Sequence, residues 1–263
     1  MTLKVVELSV SVASYIKKES LNFLIENIEA KSRNNFVTHV DKEAERLLVT
    51  GLTALISDAG FITEEGTAEN QGQEYCWIID PLDGTSNFIH NSTPYAISIA
   101  LKYKNELLVG VIHEITRNES FYSWKGGKAY LNGKTIKVSN TKNVSDALIS
   151  TGRPHNYMEQ YALLLNLMDY FLQNTHGIRQ SGSAASDLAY VACGRYDGRY
   201  EFGLKQWDMA AGILIIKQAG GQVCDFMGEN NYFENGSLIA SNSELYIELR
   251  DTIKNIFQEN MFL

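Results

Sequence analysis

The sequence predicts an α+β fold, and three observations carry that expectation. Apolar side chains recur at helical spacing through residues 1–30 and again through 41–56. Residues 95–103 alternate apolar and polar, and further strand-like runs and an Asn132-Gly133 turn signal follow. From residue 146 onward, short strand patterns alternate with helical ones.

Taken in order, Val5, Leu8, Val12 and Ile16, then Leu21, Leu24, Ile25 and Ile28, predict two helices or one broken helix. The polar stretch 30–35 reads as a loop. Asp41 opens a helix with Ala44, Leu47, Leu48, Leu52, Leu55 and Ile56 on one face. Phe61-Ile62 ends a strand, and residues 76–79 form a buried strand that stops at the Asp80-Pro81 turn. Tyr95, Ile97, Ile99 and Leu101 share one face of the next strand, and strands over 107–115 and 120–124 follow. Tyr95, Tyr103, Phe121 and Tyr122 lie at strand spacing and read as sheet packing. Tyr130-Leu131 and Thr135-Ile136 flank the Asn132-Gly133 hairpin.

In the second half, 161–172 is an amphipathic helix and 183–193 another, stopped by Gly194. A strand at 200–202, a helix over 208–219 stopped by Gly220-Gly221, a strand at 238–240 and a closing helix over 244–257 complete the chain. There is no internal repeat and no flexible linker. Residues 1–145, with the antiparallel sheet and most acidic groups, are therefore expected to pack tightly against residues 146–263.

Composition narrows the function. With 31 acidic against 23 basic residues and a net charge of -8, the chain lacks the basic face that a nucleic-acid polymer requires. It can still take a phosphorylated small molecule if metal ions supply local positive charge. Cys76, Cys193 and Cys224 form no CxxC pair and no disulfide framework. The start of the chain lacks a signal-peptide pattern, and no run has the length and apolarity to span a membrane. The expectation is a cytoplasmic protein with no membrane association.

Four acidic groups stand at predicted element ends: Asp41, Glu64-Glu65, Asp80 with Asp83, and Asp208. Such positions let a rigid scaffold present side chains to a ligand. The segment Asp80-Pro81-Leu82-Asp83-Gly84-Thr85-Ser86-Asn87-Phe88 is the most informative. It sets two carboxylates and the Leu82 carbonyl close together, and oxygen donors of this kind suit a hard cation such as Mg2+. A helical turn starting at Gly84 and Thr85 would then offer N–H groups to a phosphate oxygen. By themselves the Asp-Pro and Asp-Gly dipeptides are common turn chemistry, and a Glu-Glu pair is a solvated turn. Their combination with the other acidic groups favours a site. In Trp207-Asp208-Met209-Ala210-Ala211-Gly212, Asp208 reads as a helix cap, and the small residues after it allow close approach to another backbone. His39, His90, His113, His155 and His176 have no metal-ligand spacing, and Ser181 and Ser183 lack a nucleophile elbow.

Residues 80–88 resemble the first signature of the inositol monophosphatase family, and residues 207–221 resemble its second. The resemblance extends to Val37-Thr38 with Asp41, Phe61-Ile62 with Glu64-Glu65, the stretch 125–133, and Gly182-Ser183-Ala184-Ala185. These occur in family order and cover most of the chain. The resemblance implies a layered αβαβα sandwich and a Mg2+-dependent, often lithium-sensitive phosphatase holding two to three ions. Glu64, Asp80 and the Leu82 carbonyl would hold the first ion. Asp80, Asp83 and Asp208 would hold the second, with Asp80 bridging, and Glu64 would reach a third through water. The implied catalytic set is Glu64, Thr85 and Asp41; the substrate contacts are Asp83, Gly84, Thr85, Ala184, Glu201 and Asp208. A homodimer is implied as well.

The chain departs from the family pattern before Asp41. Lys31 is present, but Asn35 stands where an acidic residue is usual and the loop spacing is shortened, which bears on the third ion. Thr85-Ser86-Asn87-Phe88 resembles the inositol monophosphatase branch, so hydrolysis of inositol monophosphate by metal-activated water is the leading expectation. NADP(H), fructose 1,6-bisphosphate and 3′-phosphoadenosine 5′-phosphate remain alternative substrates. Selection among them falls to the surroundings of Arg153-Pro154-His155, Arg179 and Glu201. From a different class, a non-catalytic metal-binding regulatory protein also fits.

Overall fold

Helical periodicity near the start folds as expected into α1 (Thr2–Ser20), which buries Val5, Val12, Ala13 and Ile16. A computed structural model describes residues 1–21, 28–32, 35–68, 73–153 and 161–260. Helix α2 (His39–Thr53) buries Val40, Ala44, Leu48 and Leu52 along one face. Thr38 is its N-cap, and Asp41 closes a capping box by accepting the Thr38 N–H. The second helical stretch is a correction. Leu21 is exposed and Ile28 belongs to a strand, while Leu24 and Ile25 lie outside the described residues. The loop expected at 30–35 is also corrected, because β1 (Ile28–Ser32) and β2 (Asn35–Thr38) pair antiparallel. With five and four residues, these strands give too short an alternation to tell from a helix end followed by a loop. Arg33 lies outside the described residues.

Seven strands form the larger sheet in sequential order: β3 (Gly60–Thr63), β4 (Tyr75–Asp83), β5 (Ala96–Tyr103), β6 (Glu106–Glu114), β7 (Glu119–Trp124), β8 (Tyr130–Leu131) and β9 (Lys134–Thr135). All neighbours are antiparallel except β3 and β4. Asn132 and Gly133 both take positive φ, at 48° and 81°, as a tight hairpin between right-twisted strands requires. The two faces of β5 differ in size. Ile97, Ile99 and Leu101 pack toward α1 and α2, and Ala96 and Ala100 join the cluster on the opposite face.

The smaller sheet runs in the order β11 (Gly177–Arg179), β10 (Leu148–Thr151), β12 (Gly198–Glu201), β14 (Leu238–Ser241), β13 (Gln222–Cys224). Strands β11 and β13 have three residues each, too few to show alternation in sequence. Helices α5 (Ala184–Ala192) and α6 (Gln206–Gln218) lie between the sheets, touching strands of both. Helices α4 (Tyr161–Asn174) and α8 (Tyr246–Asn260) pack on the outer side of the smaller sheet, and α7 (Tyr232–Asn235) is a single turn. Three apolar clusters fill the spaces between layers, giving the helix–sheet–helix–sheet–helix order. Close approach at the centre depends on Gly110, since a Cβ there would meet the Ala211 carbonyl at 2.8 Å. No helix among the described residues is long and apolar enough to cross a membrane.

Candidate metal centre and active-site cleft

Strand β4 does not stop at Asp80-Pro81 as the sequence reading has it. It continues to Asp83 through a bulge: Asp80 pairs with Ser98 and Asp83 with Ala96, so Pro81 and Leu82 both lie opposite Ile97. Pro81 has no N–H to give a ladder, and a bulge tolerates that. The extra residue has a larger consequence. In a regular strand, residues three apart point to opposite faces, whereas one inserted residue returns them to the same side. Asp80 and Asp83 therefore both face the cleft.

Asp208 meets them from the start of α6. One carboxylate oxygen each of Asp80, Asp83 and Asp208 lie within 4.8 Å of one another. Each carboxylate is also tethered through an oxygen to a fixed donor. Asp80 Oδ1 accepts the Leu82 N–H at 2.9 Å, and Asp208 Oδ2 accepts the Lys205 N–H at 2.7 Å. Asp83 Oδ2 accepts the Ala185 N–H at 2.8 Å and the Ser183 hydroxyl, and its Oδ1 takes the Ala184 N–H at 3.2 Å. Asp208 is thus not the N-cap itself. It stands at the third helical position and reaches back to the backbone of Lys205, since the residues before it already belong to α6.

These acids are held in an unfavourable electrostatic state. Burial, then the charges of Glu64, Asp83 and Asp208, push the Asp80 carboxyl well above its ordinary range. Burial, then Asp83 and Glu64, do the same to Asp208. Burial also raises Asp83, against the hydrogen bonds from Ser183 and Ala185 and the charge of Arg199. A divalent cation relieves this repulsion, and an all-oxygen donor set fits a hard ion. Glu64 lines the same cleft but stands outside the group of three that comes within 4.8 Å.

Beyond Asp83 the chain turns through Gly84, at φ 93°, into the short helix α3 (Thr85–Ile89). Its first N–H groups have no acceptor within the helix, as the expected phosphate cradle requires. Thr85 Oγ1 lies 3.0 Å from Asp41 Oδ1 and 3.0 Å from the Leu82 carbonyl, so two acceptors compete for its one proton. Asp41 is buried, and burial raises its carboxyl. Asn87 ties α3 across the cleft by donating to the carbonyls of Pro94 and Ser181. His90 caps the end of α3 and is not part of the cleft wall.

The cleft has a volume of about 520 Å³. Ala184, Glu201 and Arg153 line it, whereas Arg179 is an exposed residue at the end of β11, outside it. Pro154 and His155 lie outside the described residues. Sequence reasoning missed Arg199, which is buried between Asp187 and Glu201 and forms ion pairs with both. Burial pushes Glu201 up to about 7 and Asp187 to about 6, each opposed by that guanidinium. A cation at a strand position facing two acids from different elements has no local pattern, so no spacing could have identified it. Gly152 was missed as well. A Cβ there would overlap the Glu201 carboxylate, so Gly152→Ala is expected to displace Glu201. A crystal structure of the variant should show the Glu201 carboxylate moved away from the Arg199 guanidinium.

Comparisons with known proteins show the family to which the chain belongs. The model of the inositol monophosphatase family matches residues 3–256. The Pseudomonas aeruginosa protein named Nus factor SuhB is 41% identical over 233 residues, covering 87% of this chain and 86% of that protein. Inositol-1-monophosphatase of Mesorhizobium japonicum is 36% identical over 228 residues, covering 86% of each. The crystal structure of extragenic suppressor protein suhB from Bartonella henselae superposes with a TM-score of 0.90 at 33% identity, over 95% of this chain and 97% of that one. With a family match spanning nearly its whole length and both signatures gathered at one cleft, this chain belongs to the inositol monophosphatase family.

Proposed function

We propose that this protein is a Mg2+-dependent phosphate-monoester hydrolase whose substrate is an inositol monophosphate. The observation that carries the reading is the convergence of Asp80, Asp83 and Asp208 beside the first turn of α3. Family membership supports a phosphatase with a metal site. Asp80, Asp83 and Asp208, with Glu64 and the Leu82 carbonyl, are the groups that would hold the ions. A bound divalent cation supplies positive charge for phosphoryl oxygens and lowers the pKa of water.

The chain's own residues would do the rest. The Gly84 and Thr85 N–H groups seat the phosphate at the start of α3. Thr85 would donate its hydroxyl hydrogen bond to the Asp41 carboxylate, which turns the hydroxyl lone pairs toward the cleft to orient the attacking water. Glu64, facing the same space, accepts that water's proton. The buried Glu201 carboxylate accepts hydrogen bonds from substrate hydroxyls at the back wall. A second phosphate there would have to displace Glu201 from its ion pair with Arg199, which favours a polyol monophosphate over a bisphosphate. Rates of phosphate release, ranked by kcat/KM at fixed Mg2+, test this with inositol 1-phosphate, fructose 1,6-bisphosphate, NADP and 3′-phosphoadenosine 5′-phosphate. Inositol 1-phosphate should lead. A leading bisphosphate would overturn the substrate, and no release from any would overturn the enzyme.

The name of the Pseudomonas aeruginosa relative carries a second reading, service as a Nus factor without need of turnover. An inactive Asp80→Asn protein that still replaces the wild type in its host would favour it.

A further inference from the structure

Glu45 is a charged side chain with no exposure at all, on the same helix as Asp41 and one turn beyond it. Residues four apart on a helix lie on one face, so the two carboxylates share a side of α2. Asp41 reaches Thr85. Glu45 reaches the turn after β3: its Oε2 accepts the Glu65 N–H at 2.8 Å, and its Oε1 accepts the Thr67 N–H at 2.9 Å and the Thr67 hydroxyl at 2.8 Å. Between those two amides Gly66 takes φ 69°, which curls both N–H groups toward one acceptor. Glu64 immediately precedes this turn, and its own N–H donates to the Ile79 carbonyl of β4 at 3.3 Å.

We infer that Glu45 is a positioning residue for the Glu64 carboxylate, and that α2 acts as one bar setting both Thr85 and Glu64 against the acidic cluster. The inference rests on the proposed metal-dependent function, in which Glu64 faces the cation. Hydrogen bonds from backbone amides to a carboxylate are among the stronger ones, and here two amides and a hydroxyl of one turn converge on Glu45. Glutamine cannot substitute. Both oxygens of Glu45 accept from a backbone N–H, so either orientation of an amide sets its NH2 group against a donor.

The test is a titration with Mn2+ alone, followed by electron paramagnetic resonance of the free ion, on wild type, Glu45→Gln, Glu45→Asp and Leu48→Ala. Leu48 is buried in the apolar face of the same helix and offers no polar atom to the turn after β3 or to the acidic cluster. Folding is verified by circular dichroism and Tm. Glu45→Gln should weaken Mn2+ binding by about 10–100-fold, the usual effect of losing a group that orients a metal ligand. Leu48→Ala should lower Tm at least as much and leave Mn2+ affinity unchanged. Should Glu45→Gln fail to fold, Glu45→Asp carries the measurement, since it keeps the charge but cannot span both amides. A folded Glu45 variant with wild-type affinity overturns the inference, as does an equal loss in Leu48→Ala. Absence of Mn2+ binding to the wild type overturns the metal reading itself, a separate outcome.

Discussion

Asp80→Asn is expected to abolish phosphate release while making the cation-free protein more stable. The loss should reach about 10²–10³-fold or more, because Asp80 is the central charge of the cluster and electrostatic groups at a reacting phosphate carry effects of that size. The gain in stability follows from the same residue's burial. Asp80 is 1% exposed, and desolvation with three neighbouring acids raises its pKa above the ordinary 3.8. A carboxyl whose folded pKa is raised binds its proton more tightly in the native state than in the unfolded chain. Its contribution is therefore fully present below about 3.8 and is lost as pH rises toward the folded value. The cation-free wild type should lose stability across that window. Asp80→Asn, with nothing to ionise there, should lose less and show a higher Tm at neutral pH. A chelator-treated thermal melt at several pH values measures it. Equal melting profiles for both proteins would contradict the electrostatic account. Activity and stability pull in opposite directions at this residue, as they often do where acids are gathered for a ligand.

Gly84→Ala should damage the site by moving it. Gly84 has φ 93°, and a Cβ there would meet the Pro94 carbonyl at 3.1 Å, the Gly182 carbonyl at 3.2 Å and Ser183 Cβ at 3.3 Å. Left-handed backbone in a residue with a side chain costs about 1–3 kcal/mol. Two of the three contacts are backbone oxygens, so the local chain must shift to admit the methyl group. That shift would part Asp83 from the Ser183 hydroxyl and the Ala184 and Ala185 amides that fix it and tilt the first turn of α3. A displacement of about 1 Å is enough to cost roughly a hundredfold in rate. The expected result is a Tm lowered by several degrees, about 2–4 °C per kcal/mol at this size, with kcat falling far more than the stability loss explains. Wild-type kcat at a lowered Tm would show that Gly84 matters only for folding.

Much of this site was legible because its acids stand at element ends. The apolar run into Asp80 marked β4, and the helix patterns after Asp41 and Asp208 located α2 and α6 within a few residues. The family resemblance supplied roles that spacing alone does not. The bulge at Pro81-Leu82 was read as a turn, since Asp-Pro is common in both and only the pairing with β5 distinguishes them. Asp83 is clamped by residues 100 to 102 positions away, and Arg199 is buried between acids on α5 and its own strand. Contacts of that range depend on which strand neighbours which, and that order is set by packing across layers. Glu45 carries no signal in the sequence, because its partners lie 20 and 22 residues away in the turn after β3. The ribbon of β1 and β2 escaped notice for a simpler reason: strands of five and four residues carry too short an alternation to read.

In the proposed function, three tethered, mutually repelling carboxylates hold a cation that supports hydrolysis of a phosphate monoester. The direct measurement is the initial rate of phosphate release from inositol 1-phosphate as free Mg2+ is varied, with EDTA at the lower limit and Asp80→Asn in parallel. The account predicts a saturable Mg2+ dependence in the wild type, no release in EDTA, recovery when Mg2+ is restored, and a flat line for the variant. Release that continues unchanged in EDTA, or that Asp80→Asn retains, would contradict it.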